Sequence, residues 1–200
     1  MERRHRRTPW ARGAAAAAVA GGLAIALVNA DSAAGHGWAA RAVLRDVAGN
    51  KVGTVRFEGD EDGTSVKVSL RGIATGTDAF HGLHVHANDP SVACDPLAPQ
   101  GPFTNVGGHW NPTSGVHGAH AGDLPSVLVK EDGTANARSV SGRIDPAAIA
   151  GRAVILHAGP DNFANIPTRY SAAGVAGPDD ATKRTGDAGD RIACGVITLD

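Results

Sequence analysis

Cysteine and aromatic side chains are what this sequence has least of. Its 200 residues hold two cysteines, one tyrosine, three tryptophans and four phenylalanines. Two cysteines exclude both a disulfide-dense small scaffold and a metal site built from thiolates alone. Scarce aromatics, set beside 27 glycines and 11 prolines, argue for many turns between short strands and against long helices. A run of ~20 apolar residues, the length that spans a bilayer, is also missing; Ala14–Val28 is the longest candidate and falls short. Neither charge dominates, with 19 Lys and Arg against 20 Asp and Glu. The chain therefore lacks the basic surplus of a nucleic-acid binder. It shows no internal repeat, and its length suits one domain with a proper core. No patch marks a subunit interface.

The N-terminus stands apart. Glu2–Arg12 carries five arginines and one glutamate, the apolar run follows, and Val28-Asn29-Ala30 is a small-residue cleavage pattern. This predicts a secretory signal peptide over 1–30, cut after Ala30, and not a retained membrane anchor. Setting that segment aside takes the formal charge from −1 to −5. Residues 31–38 read as a flexible lead-in and 39–200 as the folded domain of an exported protein, extracellular or in the cell envelope. Cys94 and Cys194 both lie in that domain. In an oxidising compartment they read as one disulfide rather than two separate thiols. It would close a loop of about a hundred residues, for which chain entropy gives on the order of 4–5 kcal/mol.

Along the domain, apolar and polar residues alternate at the period of a half-buried strand. Ala42, Leu44 and Val47 mark a first strand, with a turn at Asn50 and Lys51. Val52, Val55 and Phe57 mark a second. Gly59–Gly63 is a turn, and Val66, Val68 and Leu70 alternate with Lys67, Ser69 and Arg71. Phe80–His86, Leu124–Lys130, Ala135–Val140, Ala153–His157 and Arg191–Leu199 complete the series. Asp145–Ile149 reads as one helical turn, capped by Asp145 with Pro146 at its first position. The fold class is all-β, an eight-stranded Greek-key barrel or sandwich. Two long segments, Ala87–Gly122 and Ala158–Asp190, lack periodicity. Loops of that length in a compact domain are functional or disordered, and the two are expected to face one another over one site.

Six of the nine histidines fall in Phe80–Asp123. His84 and His86 form an H-x-H on a strand, so both imidazoles point to one face. His109 follows a Gly/Pro-rich loop, and His117, His120 and Asp123 come at short intervals. That many ligand-type residues in one stretch indicate a two-metal site. Four neutral imidazoles, His84, His86 and candidates His109 and His157, suit copper. Three imidazoles and a carboxylate, His109, His117, His120 and Asp123, suit a closed tetrahedral zinc site. His109 is common to both sets, since an imidazolate can bridge two cations. Local spacing does not place His157; only the barrel could bring it there. His81 is out of phase with His84 and His86 and reads as a structural histidine bonded to backbone. His5 lies in the signal segment and His36 in the lead-in.

The chain resembles the copper/zinc superoxide dismutases of the exported bacterial kind. The resemblance runs from about residue 38 to the end, and its most specific pieces are HGLHVH (81–86), GGHWNP (107–112), HAGDLP (120–125) and GDAGDRIACGVI (186–197). It implies copper on His84, His86, His109 and His157, and zinc on His109, His117, His120 and Asp123. It implies a Cys94–Cys194 disulfide and a substrate-guiding Arg191. Asp161, four residues after His157, is implied as the carboxylate linking ligands of the two metals. Two features depart from the family pattern: Leu83 stands where an aromatic is usual, and the His117–His120 spacer is short. The implied reaction is disproportionation of superoxide to oxygen and hydrogen peroxide by copper redox cycling, with His109 and Arg191 catalytic. The alternatives are a copper- or zinc-sequestering protein on the same fold, or a dismutase that uses copper alone.

Overall fold

The computed structural model describes residues 39–74 and 79–200; the expected signal segment and lead-in, with His5 and His36, lie outside them. The described residues form ten strands in chain order: β1 (Ala39–Asp46), β2 (Lys51–Asp60), β3 (Gly63–Leu70), β4 (Ala79–His86), β5 (Asp123–Val129), β6 (Ala135–Ser141), β7 (Ala153–His157), β8 (Ser171–Ala172), β9 (Val175–Ala176) and β10 (Arg191–Leu199). Eight form one antiparallel sheet in the order β5-β4-β7-β10-β1-β2-β3-β6. The two ends of that order, β5 and β6, are joined by a tight turn in which Lys130 N–H donates to Thr134 O at 2.9 Å. Their contact nearly closes the sheet into a barrel. β4, β5 and β6 follow one another, and β7 returns by a long connection to lie beside β4. That is the Greek-key arrangement expected from the sequence.

The alternation places Leu44, Val55, Phe57, Val66, Val68, Leu83 and Val85 in one core, together with Leu124, Val127 and Ile197. Leu83, at a position where the resemblance leads one to expect an aromatic, is buried there at 1% exposure. A second, smaller apolar cluster lies under the first long loop. It joins Phe103 and Val106 of that loop to Ala153 and Ile155 of β7 and to Cys194 of β10. The Cys94–Cys194 disulfide ties the same loop to β10, with the Cα atoms 5.9 Å apart.

Three expectations need correction. Val47 is not in the first strand but in the following turn, 51% exposed. Asp46 nucleates that turn earlier than expected, its Oδ1 accepting the N–H groups of Ala48 and Asn50 at 2.9 and 2.8 Å, an Asx-type closure. Lys51 already belongs to β2. The single turn expected at Asp145–Ile149 is present: Asp145 caps it, its Oδ1 accepting from Ala147 N–H at 2.9 Å, and its O accepts from Ala148 and Ile149 N–H at 3.0 and 3.3 Å. Finally, the second long loop is less irregular than its composition suggests. It carries the β8–β9 hairpin and a one-turn helix, α1 (Thr182–Thr185). The first loop holds a 3-10 turn at Thr104–Val106.

Candidate metal centre

Strand register builds the floor of the site. On the neighbouring strands β5-β4-β7-β10, Asp123 lies opposite His84, His84 opposite Ile155, and His157 opposite Arg191. His86 bridges to His109 of the first loop. Leu83 and Val85 take the core side of β4, so His84 and His86, in the opposite phase, are left outside the barrel. The two long loops cover them. His117 N–H of the first loop donates to Lys183 O of the second at 2.9 Å, so the loops do meet over one site.

Three groups of ligand-type side chains converge: His84, His86, His109 and His157; His109, His117, His120 and Asp123; and His84, His117 and Asp161. In the first group, each of three imidazoles has one nitrogen committed to an oxygen acceptor. His84 Nε2 faces Asp161 Oδ2 at 2.8 Å, His86 Nδ1 faces Gly107 O at 2.9 Å, and His157 Nδ1 faces Gly189 O at 3.0 Å. An oxygen acceptor requires the proton on the facing nitrogen. The lone pairs therefore sit on His84 Nδ1, His86 Nε2 and His157 Nε2, all buried without a hydrogen-bond partner. Unpaired buried acceptors are costly. Three that converge, each oriented by a bond on the ring's other nitrogen, are what a metal ion with imidazole ligands requires.

The second group has the dimensions of a tetrahedral site. His109, His117 and His120 bring Nδ1 to 3.0, 3.2 and 3.2 Å from Asp123 Oδ1. Ligands about 2.0 Å from a tetrahedral zinc lie roughly 3.3 Å from one another. The short His117–His120 spacer thus still delivers both rings. The other oxygen of Asp123 accepts Gly118 and His120 N–H at 2.7 and 3.0 Å. Asp161 connects the two groups, its Oδ1 accepting from His117 Nε2 at 2.7 Å and its Oδ2 from His84 Nε2.

Burial is the first cause of the shifts in the first group. It pushes His84 down to about 4, His157 to about 3 and His86 well below the ordinary imidazole value of 6.5. All three are neutral near pH 7, as ligands must be. Burial also acts on His117, but the carboxylates of Asp123 and Asp161 beside its ring nitrogens outweigh it and raise its pKa to about 9. Burial opposes ionisation of Asp123 too, yet His109 and His117 hold its carboxyl well below the usual range.

A pH profile of the metal-free protein follows with a definite sign. Below pH 6.5 the unfolded chain binds protons that folded His84, His86 and His157 refuse, so stability falls as pH drops toward 3. His117 contributes stability that is complete below 6.5 and lost as pH rises through about 9. Melting temperatures from pH 4 to 9.5 are expected to peak near 6.5; a steady rise toward pH 9 would contradict the raised pKa of His117, and no fall below 6.5 would contradict the buried neutral imidazoles.

Arg191 forms one wall of a cavity of about 540 Å³ whose lining includes His86, His109, His157, Arg184 and Asp187. Its guanidinium donates to Phe103 O at 2.7 Å and to Gly107 O at 2.8 Å. Gly107 O also accepts from His86, so one carbonyl aligns the arginine and an imidazole. His81 is bonded to backbone as expected, through Nδ1 to His157 O at 2.7 Å. Sequence reasoning missed the carbonyl clamp of Phe103 and Gly107, the second cavity arginine Arg184, and the packing of Phe163 and Gly186 around His117. Only Gly186 carried a local signal, as a glycine ending a short helical turn. Among the described residues no helix is long and apolar enough to cross a membrane.

Comparison with known proteins gives a consistent picture. Residues 51–197 match the family model described as copper/zinc superoxide dismutase (SODC). Proteins named Superoxide dismutase [Cu-Zn] from Mycobacterium bovis and Mycobacterium tuberculosis are each 41% identical over 158 residues, covering 74% of this chain and 65% of the relative. One of the same name from Mycolicibacterium paratuberculosis is 36% identical over 162 residues, covering 77% and 71%. The chain thus spans about 65% of the length of the first two relatives. A solved structure, the crystal structure analysis of the clock protein EA4, superposes with a TM-score of 0.62 at 28% identity, covering 83% of this chain and 97% of that one. With three quarters of its length matched in sequence and its barrel matched in space, this chain belongs to the copper/zinc superoxide dismutase family.

Proposed function

We propose that this protein disproportionates superoxide, two superoxide ions and two protons giving one oxygen and one hydrogen peroxide. The observation that carries the reading is the set of three buried, neutral imidazoles with converging unpaired nitrogens beside a cavity walled by Arg191. His84, His86, His109 and His157 would hold copper, which supplies the one-electron couple; His109, His117, His120 and Asp123 would hold zinc. Arg191 attracts and orients the anion at close range, which matters because a net charge of −5 opposes its approach at long range. His109 turns Nδ1 toward Asp123, leaving Nε2 as the atom that takes up a proton and yields it to peroxide. Asp161 holds His84 and His117 in the tautomers that present Nδ1 inward.

The open cavity with a clamped arginine favours this reading over a sequestering protein, which needs no route for a small anion. The complete second group favours two metals over copper alone. The disulfide and the N-terminal segment support export, with residues 1–30 removed and 31–200 mature.

The deciding experiment is the superoxide decay rate of residues 31–200 loaded with copper and zinc, against the same protein without copper. Fast decay that requires copper is the expected result; tight copper binding with no faster decay would leave the sequestering protein. Arg191→Ala is expected to lower the rate about tenfold and flatten its salt dependence, with both metals retained. Unchanged kinetics would remove Arg191 from the reaction.

A further inference from the structure

Phe163 holds a backbone conformation that its side chain disfavours. Its φ is 55°, and Ala164 follows at 56°, both in the left-handed region that residues other than glycine rarely adopt. Such conformations persist where the surroundings enforce them, and they gather at functional sites. Three contacts enforce this one. Phe163 N–H donates to Asp161 Oδ1 at 2.7 Å, the oxygen that also accepts from His117 Nε2. The phenyl ring lies nearly parallel to the His117 imidazole, at 11° with centroids 6.3 Å apart, an offset stack. The backbone of Phe163 rests on Gly118, where a Cβ would come within 2.9 Å of Phe163 O.

The His117 side chain has no exposure, whereas Phe163 is 41% exposed and belongs to neither apolar cluster. The ring is therefore the outer cover of one imidazole rather than part of the barrel core. The short His117–His120 loop, with glycine at 118, offers no side chain of its own there; the second loop supplies it.

We propose that Phe163 is a positioning residue that closes the zinc-type group over His117 and slows the escape of the ion. The inference rests on the zinc reading above. Phe163→Gly and Phe163→Asn keep the N–H bond to Asp161 and suit a left-handed backbone, so they remove the cover while relaxing the chain. The expected result is a metal-free melting temperature that holds or rises. Transfer of zinc from the loaded protein to a chromogenic chelator becomes roughly tenfold faster. Copper transfer is unchanged, and Phe163→Tyr restores slow zinc release. Zinc release at the wild-type rate in both variants would overturn the proposal. So would a fall in metal-free melting temperature accompanied by equally faster loss of copper, since the ring would then be ordinary packing. A wild-type protein that takes up no zinc would overturn the zinc reading itself, and that failure shows at loading, before any variant is compared.

Discussion

Alanine at position 86 is expected to abolish tight copper binding and to lower copper-dependent superoxide consumption by more than a hundredfold. Losses of about 10–100-fold are typical when a partner outside the ligand set is removed, and His86 is itself a proposed ligand. Its Nε2 is buried with no hydrogen-bond partner, so in the metal-free protein this nitrogen costs stability. Exchanging the ring for a methyl removes that cost while losing packing and the bond to Gly107 O. The two effects oppose one another, and the metal-free melting temperature is expected to change little. Gly107 O remains held by Arg191, which keeps the cavity wall in place. Zinc content is expected to stay near one per chain, because His86 is not in the second group. Metal analysis, calorimetry and superoxide decay on one sample check all three expectations. Retention of copper and activity in His86→Ala would disprove the assignment.

Alanine at position 186 is expected to damage both groups without altering a single ligand. Gly186 has φ 59° and ends α1. A Cβ there would run into Asp161 Oδ1 and His117 Nε2, the two atoms whose hydrogen bond links the groups. Left-handed backbone alone costs an alanine about 1–2 kcal/mol, and overpacking adds about 1–3 kcal/mol. A total on the order of 3 kcal/mol corresponds to a fall of roughly 6–12 °C in melting temperature. With Asp161 displaced, zinc affinity is expected to drop by about 10–100-fold. Gly174→Ala is the control: φ is 83° and a Cβ there meets nothing within 4 Å, so it carries the backbone cost without the collision. Equal effects of the two substitutions would show that the close approach at Gly186 does not matter.

Much of this protein is legible in its sequence. β7 and β10 begin and end where the hydrophobic pattern places them; β7, buried at every position, reads as a continuous apolar run. The H-x-H of β4 and the cluster at His117, His120 and Asp123 are local, so spacing alone brings their side chains together. Two cysteines allow one pairing within the chain, and the disulfide is that pair. The start of β2 departs from the hydrophobic pattern because the Asp46 side chain closes the turn before that pattern resumes.

What the sequence determined by itself is therefore the alternation that makes a barrel, the disulfide, and a local set of metal-type ligands. Tertiary structure alone decided the rest. Only sheet register sets His157 opposite Arg191, and only the meeting of two distant loops puts Asp161 between His84 and His117. Phe163 and Gly186 gained their roles the same way. The physical reason is that periodicity encodes which face a side chain takes on its own element, while convergence between elements depends on ladder pairing and loop packing between residues far apart in the chain, which no local pattern records.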